Sequence, residues 1–232
     1  MKSSELKGYL TGLILGDGTI DKGVTKRSFR IKSINFDFID KIEKDLKENT
    51  NWAIVVKEFP ETYKDGVHRK PYKELIIKSN PYFAKIYHFF YSDDRKRTAP
   101  LKYLELLSAE GLANWFMSDG YITLVGKTKG YIKDRRVEIC TDRYSKEEVE
   151  KIQQYFKKTY GWDTLLVDRK KGNQYRIRFS LLDAQHLFTK IEPFVVNSFK
   201  YKLNMSYEIK PKWMTEEYYQ VMLRSANPLR NN

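Results

Sequence analysis

Leu10-Thr11-Gly12-Leu13-Ile14-Leu15-Gly16-Asp17-Gly18 is an apolar run of helical length that ends in a carboxylate and a glycine. A second stretch, Leu112-Ala113-Asn114-Trp115-Phe116-Met117-Ser118-Asp119-Gly120, repeats the pattern 102 positions later. A short β-prone segment follows each, Thr19-Ile20 and Tyr121-Ile122-Thr123. One Asp-Gly after one apolar helix marks only a helix end and a turn. Two copies in matching contexts say more. A charge at the mouth of an apolar helix calls for a partner. Two such carboxylates side by side repel each other and call for a cation between them. Asp17 and Asp119 therefore point to a divalent-metal site for phosphodiester chemistry.

Around the first motif the spacing predicts a helix over residues 5–16, with Ser3 or Ser4 as N-cap and Glu5 in the first turn. Leu6, Leu10, Leu13 and Ile14 share one face, and Gly12 and Gly16 lie four apart on another. Glycine weakens a helix, and its use here is to let another backbone approach. Thr11, Gly12 and Gly16 are expected to face Ala113 and Ser118 of the second motif helix.

Each motif is followed by the same order of elements. In the first half come a basic turn, Asp21 to Arg27, and an alternating strand, Ser28 to Ser33. An amphipathic helix on Phe38, Ile42 and Leu46 follows, then a strand from Trp52 to Phe59. A long polar connection, Pro60 to Lys73, leads to the strand Glu74–Lys78 and an aromatic helix, Pro81 to Tyr91. In the second half Tyr121 to Lys129 reads as turn-rich and basic, and Arg135 to Thr141 as a strand. Ser145 with Glu148 reads as a capping box, opening a helix to about Lys158. Thr164 to Arg169 and Tyr175 to Phe179 flank a turn at Lys170-Lys171-Gly172-Asn173, and Asp183 to Ile191 is the closing helix. This duplication predicts an α+β chain of two halves about a pseudo-twofold axis, residues 1–98 and 99–205, with 206–232 as an extension.

The charge is strongly one-sided, with 43 Lys and Arg against 30 Asp and Glu in 232 residues, a formal +13. On a chain with 41% hydrophobic residues, enough to fold, that balance points to a polyanion, with nucleic acid first. The basic and polar residues predicted to bind DNA lie along the strands and their turns. In the first half they are Lys26, Arg27, Arg30, Lys32, Arg69, Lys70 and Lys78. In the second they are Arg135, Arg136, Glu138, Arg169, Lys170, Arg176 and Arg178. On alternating strands such a mixture suits phosphates and base edges. The single Cys140 excludes an intramolecular disulfide, and His68, His88 and His186 lack metal-ligand spacing. With no run of ~18 apolar residues, no lipidation signal and no signal-peptide pattern, a soluble intracellular protein is expected.

The first motif is similar to the one after which the LAGLIDADG homing endonucleases are named, matching at Leu10, Gly12, Leu13, Ile14, Asp17 and Gly18. The second keeps Leu112, Ala113, Asp119 and Gly120, with Asn114 where the name-giving motif has glycine. The resemblance is to the single-chain, two-motif members and covers roughly residues 5–205. It implies two α-β-β-α-β-β-α halves whose four-stranded antiparallel sheets form a saddle over DNA. It implies a monomer that makes a double-strand break at a long asymmetric site, in intron homing. Mg²⁺, with Mn²⁺ substituting, would be held by Asp17 and Asp119 with the carbonyls of Gly16 and Ser118. A basic residue beside each metal would organise the attacking water: Lys202 in the second half and, aligned on Thr98-Ala99-Pro100, Arg97 in the first, where lysine is usual. Arginine there stays charged and offers a wider fork, and Lys96 is the alternative in the first half. The cytoplasm of a prokaryote or an organelle matrix is the implied compartment. The alternative is an RNA maturase that binds its host intron RNA.

Overall fold

The computed structural model of the chain describes residues 1–21, 27–64, 66–94, 96–128, 131–169 and 174–203, with backbone alone for 64, 124–128 and 131–135. Lys26, Lys170, the Arg135 side chain and the predicted 206–232 extension lie outside this set.

The first half runs α1 (Ser3–Leu15), β1 (Thr19–Ile20), β2 (Arg27–Ser33), α2 (Phe36–Asn49), β3 (Ile54–Phe59), β4 (Thr62–Lys64), β5 (Val67–Arg69), β6 (Tyr72–Asn80) and α3 (Pro81–Phe90). A one-turn helix, α4 (Leu101–Leu104), leads into the second half: α5 (Ala109–Asp119), β7 (Gly120–Thr128), β8 (Tyr131–Cys140), α6 (Lys146–Tyr160), β9 (Thr164–Asp168), β10 (Tyr175–Phe179) and α7 (Leu181–Ile191). Two 3₁₀ turns, Glu192–Phe194 and Asn197–Leu203, close it. Both halves form antiparallel four-stranded sheets with the same topology, β1-β2-β6-β3 and β7-β8-β10-β9. The duplicated α+β architecture expected from the repeat is the one observed.

Alternation explains which face each sheet buries. Phe29, Ile31, Leu75 and Ile77 point to the helices in the first half, as Val137, Ile139, Ile177 and Phe179 do in the second. The helices α2 and α3 pack on β2 and β6, and α6 and α7 pack on β10. The residues between them in sequence form the open face. Caps set the helix starts. Asn80, Ser108 and Ser180 accept hydrogen bonds from Tyr82, Gly111 and Asp183 N–H groups at 2.8, 3.0 and 3.1 Å. At α1 the expected serine caps give way to a start at Ser3, with the Lys2 N–H donating to Glu5 Oε2 at 2.8 Å. Ser145 accepts from the Glu148 N–H, but the Glu148 carboxylate turns away and accepts from the Ala99 N–H at 2.6 Å. The predicted turn-rich segment after Asp119 is instead β7, paired with β8 from Gly120↔Ile139 to Thr128↔Tyr131. The connection between β3 and β6 contains the hairpin β4–β5, which turns at Gly66 with φ of +72°.

The helices α1 and α5 pack against each other at the centre, with Gly8 to Leu15 and Gly111 to Met117 all buried. The approach is backbone on backbone. A Cβ on Gly12 would lie 1.8 Å from the Gly111 carbonyl oxygen, and one on Gly16 would lie 2.6 Å from Ser118 Cβ. Gly16 therefore faces Ser118 as expected. Gly12 meets Gly111 rather than Ala113, and the Thr11 hydroxyl turns back to the Lys7 carbonyl at 2.8 Å. The halves also exchange tails. The chain leaving the first half binds α6 through Ala99, and the tail of the second binds α2, where Ser198 donates to both Asp37 oxygens, from N–H at 3.0 Å and Oγ at 2.6 Å. Phe199 stacks edge-on against Phe38 at 5.4 Å.

Candidate active site and nucleic-acid face

The close packing of α1 and α5 brings their C-termini, and so both motif aspartates, to one place. At the end of α1 the Gly18 N–H donates to the Leu13 carbonyl at 2.8 Å, turning the chain around Asp17. Asp17 is exposed, and Asp119, the last residue of α5, is largely enclosed. Burial first, and the Asp17 charge second, push the Asp119 carboxyl up to about 7, against the opposing pull of Arg143, Arg97 and Lys202. Arg143 Nη2 stands 3.8 Å from Asp17 Oδ1.

The two basic residues predicted beside the aspartates are both present there, in different states. Lys202 Nζ donates to the Met117 carbonyl at 2.6 Å. Burial pushes its ammonium down to about 8, although both aspartates favour its charged form. Arg97 is buried and spans the first corner, donating from Nη1 to the Ile14 carbonyl and from Nη2 to the Gly18 carbonyl at 2.8 Å. Its guanidinium lies 5.3 Å from the Tyr91 ring, and its backbone bridges Tyr91 and Tyr144. Lys96, the alternative in the first half, is exposed and paired with Asp94 at 2.7 Å.

Among the described residues no cluster of three or more His, Cys, Asp or Glu side chains forms a metal cage. What the site offers is two carboxylates, with the Asp17 charge helping to raise the Asp119 carboxyl, beside the backbone of Gly16 and Ser118. An all-oxygen donor set fits a hard divalent cation better than zinc or copper.

The open face of the first sheet carries Arg30, Lys32 and Lys78, all exposed, with Arg30 Nη1 3.8 Å from Glu74 Oε1. Arg69 and Lys70 are exposed at the β4–β5 hairpin, and Arg169 is exposed at the end of β9. Arg136 is part-buried in register with Thr123 and has interactions of its own. Arg27 departs from the expectation. It stacks 3.4 Å above the Tyr87 ring of α3 and donates to the Asp21 carbonyl at 2.7 Å, because the register shift after Arg27 turns it to the helix side. Glu138 departs too: it is 3% exposed and tied to Arg178 and Tyr121, so it is a buried support, not an open contact. Arg176 grips Asp142 with Nε and Nη2 at 3.0 and 2.8 Å and donates to the Tyr121 hydroxyl. The sequence reading missed Arg143, Tyr144 and Tyr91. The Tyr144 hydroxyl donates to the Leu15 carbonyl at 3.0 Å, and the Ile20 N–H donates to the Tyr91 hydroxyl at 3.2 Å.

A duplicated α+β chain built on two apposed helices, each ending in Asp-Gly, defines a class of proteins, and the sequence matches one family of it. The match is to the LAGLIDADG DNA endonuclease family, over residues 7–187, and the chain belongs to that family. It is 24% identical over 217 residues to DNA endonuclease I-ChuI of Chlamydomonas applanata, a match that spans 87% of this chain and 95% of that one. It is also 27% identical over 129 residues to Protein RecA of Mycolicibacterium flavescens, spanning 53% of this chain and 30% of that longer one. The homing endonuclease I-WcaI, solved bound to its DNA recognition sequence, shares the fold with a TM-score of 0.70 at 20% identity, over 87% of both chains. Among the described residues no helix is long and apolar enough to cross a membrane.

Proposed function

We propose that this site-specific DNA endonuclease cuts both strands of a long asymmetric duplex as a monomer, in a homing reaction. The observation that supports this most is the shared corner of Asp17 and Asp119, where one carboxyl is pushed up to about 7 by burial and by the other. Asp17, Asp119 and the carbonyls of Gly16 and Ser118 are the proposed holders of Mg²⁺, with Mn²⁺ as substitute. A divalent cation there supplies charge stabilisation at the scissile phosphate and acidifies water.

The chain's own residues divide the remaining work. Lys202, pushed down to about 8 and fixed on the Met117 carbonyl, exchanges a proton at Nζ close to neutral pH and orients water beside Asp119. Arg97 keeps its charge and fixes the Ile14 and Gly18 carbonyls, so it is a positioning residue for Asp17. Arg30, Lys32, Arg69, Lys70, Lys78, Arg136 and Arg169 bind the duplex, and affinity falls steeply with salt. Helix α5 packs against β7, β8 and α7, which seats Asp119 at the start of β7.

The test is incubation of the purified protein with a pooled duplex library in Mg²⁺ or Mn²⁺, followed by sequencing of the new ends. Paired ends at a small set of related sequences, on both strands, are expected. Tight retention of intron RNA with no new DNA ends under either metal would overturn the reading in favour of a maturase.

A further inference from the structure

The open face of the second sheet is not a row of free bases. Register places Tyr121, Glu138, Arg178 and Leu165 in one line across β7, β8, β10 and β9. Within that line the Glu138 side chain is 4% exposed and fully engaged. Its Oε1 lies 2.8 Å from Arg178 Nε and 2.7 Å from Arg178 Nη2, and its Oε2 accepts from the Tyr121 hydroxyl. A carboxylate that holds one edge of a guanidinium fixes its plane and leaves the far end pointing outward. The Arg178 side chain is 23% exposed, and Leu165 beside it is 64% exposed on the edge strand. The neighbouring Arg176 has Nε, Nη1 and Nη2 all occupied by Asp142 and Tyr121, so it braces Tyr121.

The first sheet is built differently. Arg30 is 51% exposed and 3.8 Å from Glu74, a loose surface contact. Lys32 and Lys57 flank the same Glu74 in register. Flexible cations of that kind follow phosphates. A fixed fork reads a base: with Nε and one Nη2 proton on Glu138, the Nη1–H and the second Nη2–H of Arg178 match guanine O6 and N7 in the major groove.

We infer that Arg178 is a specificity-determining residue that reads one guanine in the part of the target under the second sheet, with Glu138 as its positioning residue. The exposed Leu165 gives the neighbouring position an apolar contact suited to a thymine methyl group. Sequence discrimination is therefore concentrated under the second half, and the first half tolerates more variation. The inference rests on the DNA-endonuclease reading and deepens it.

The experiment selects binders in Ca²⁺ from a randomised duplex library with the full-length protein and with Arg178→Lys and Glu138→Gln. The wild type is expected to enrich guanine about tenfold or more over other bases at one position on one side of the site. Arg178→Lys keeps the charge without the fork. It is expected to lose that preference, with a larger loss of affinity for the selected site than for unrelated DNA. Glu138→Gln is expected to weaken the same position and no other, a pattern that general loss of folding does not produce. Melting curves of each variant identify any unfolded one, and Arg178→Gln then replaces it. A guanine preference unchanged in the Arg178 variants overturns the inference while leaving the nuclease reading intact. Failure of the wild type to enrich any sequence overturns both.

Discussion

Leu15 and Met117 hold equivalent positions in the two motif helices, yet their carbonyls have different partners. The Met117 carbonyl accepts from Lys202 at 2.6 Å, and the Leu15 carbonyl accepts from the Tyr144 hydroxyl at 3.0 Å. With that acceptor taken, the basic residue of the first half bonds to Ile14 and Gly18 instead, and the planar fork of its guanidinium spans both carbonyls. The aspartates differ in step. Asp17 is exposed with Arg143 at 3.8 Å, and Asp119 is enclosed with its carboxyl pushed up to about 7. One duplicated motif has thus become two unlike corners, one held rigid by a permanent charge and one equipped with a lysine near its titration point.

Both corners depend on the glycine contact between α1 and α5. Gly12→Val would drive its side chain into the Gly111 carbonyl, since even a Cβ there stands 1.8 Å away. The expected cost is about 3 kcal/mol or more, read as a lost or strongly lowered thermal transition. Next in size is Lys202→Met, which removes the titratable group from one corner only. Cleavage of one strand should slow on the order of a hundredfold, leaving a nicked product on a supercoiled target. Equal slowing of both strands would erase the distinction between the corners. Arg97→Lys should act mainly through structure, lowering stability by about 1–2 kcal/mol and slowing the other strand by about tenfold.

The pH dependence of the metal-free protein separates the corners again. Folded Asp119 keeps its proton to about pH 7, whereas an ordinary aspartate releases it near 3.8. Across that window the unfolded chain binds fewer protons, so stability should fall as pH rises. Lys202 acts in the opposite sense, adding stability as pH rises from about 8 towards 10.5. Asp119→Asn should flatten the acidic limb and stabilise the protein at pH 7.5 by on the order of 1–3 kcal/mol in denaturant titrations. The smallest effect sharpens the comparison most. Tyr144→Phe alone should cost about 1 kcal/mol by leaving the Leu15 carbonyl unpaired. Combined with Arg97→Lys it frees that carbonyl for the new lysine, and the double variant should lose about 1 kcal/mol less than the sum of the singles.

The sequence made legible what repeats locally. Asp17, Asp119 and the glycines before them stand out because a helix period and a duplication can be counted. The recurrence of Gly8, Gly12 and Gly16 every four residues was an available signal for the longer contact with Gly111. β7 was hidden because Gly126 and the lysines around it resemble a turn, and its strand state comes from pairing with β8. Glu138 looked like an open contact because alternation gives its face but not its neighbours, and only strand register shows Arg178 and Tyr121 beside it. Arg143 and Tyr144 sit in the short link before the Ser145 cap, where nothing local marks them. Their role arises from the other half of the molecule.

The most direct measurement is strand-resolved cleavage of one supercoiled plasmid, carrying a site recovered from the library, by the wild type, Asp17→Asn and Asp119→Asn in Mg²⁺. With both carboxylates needed to hold the metal between the two corners, each variant should bind the plasmid within a few-fold of wild type and cut neither strand. Linearisation by either variant at the wild-type rate would contradict the account.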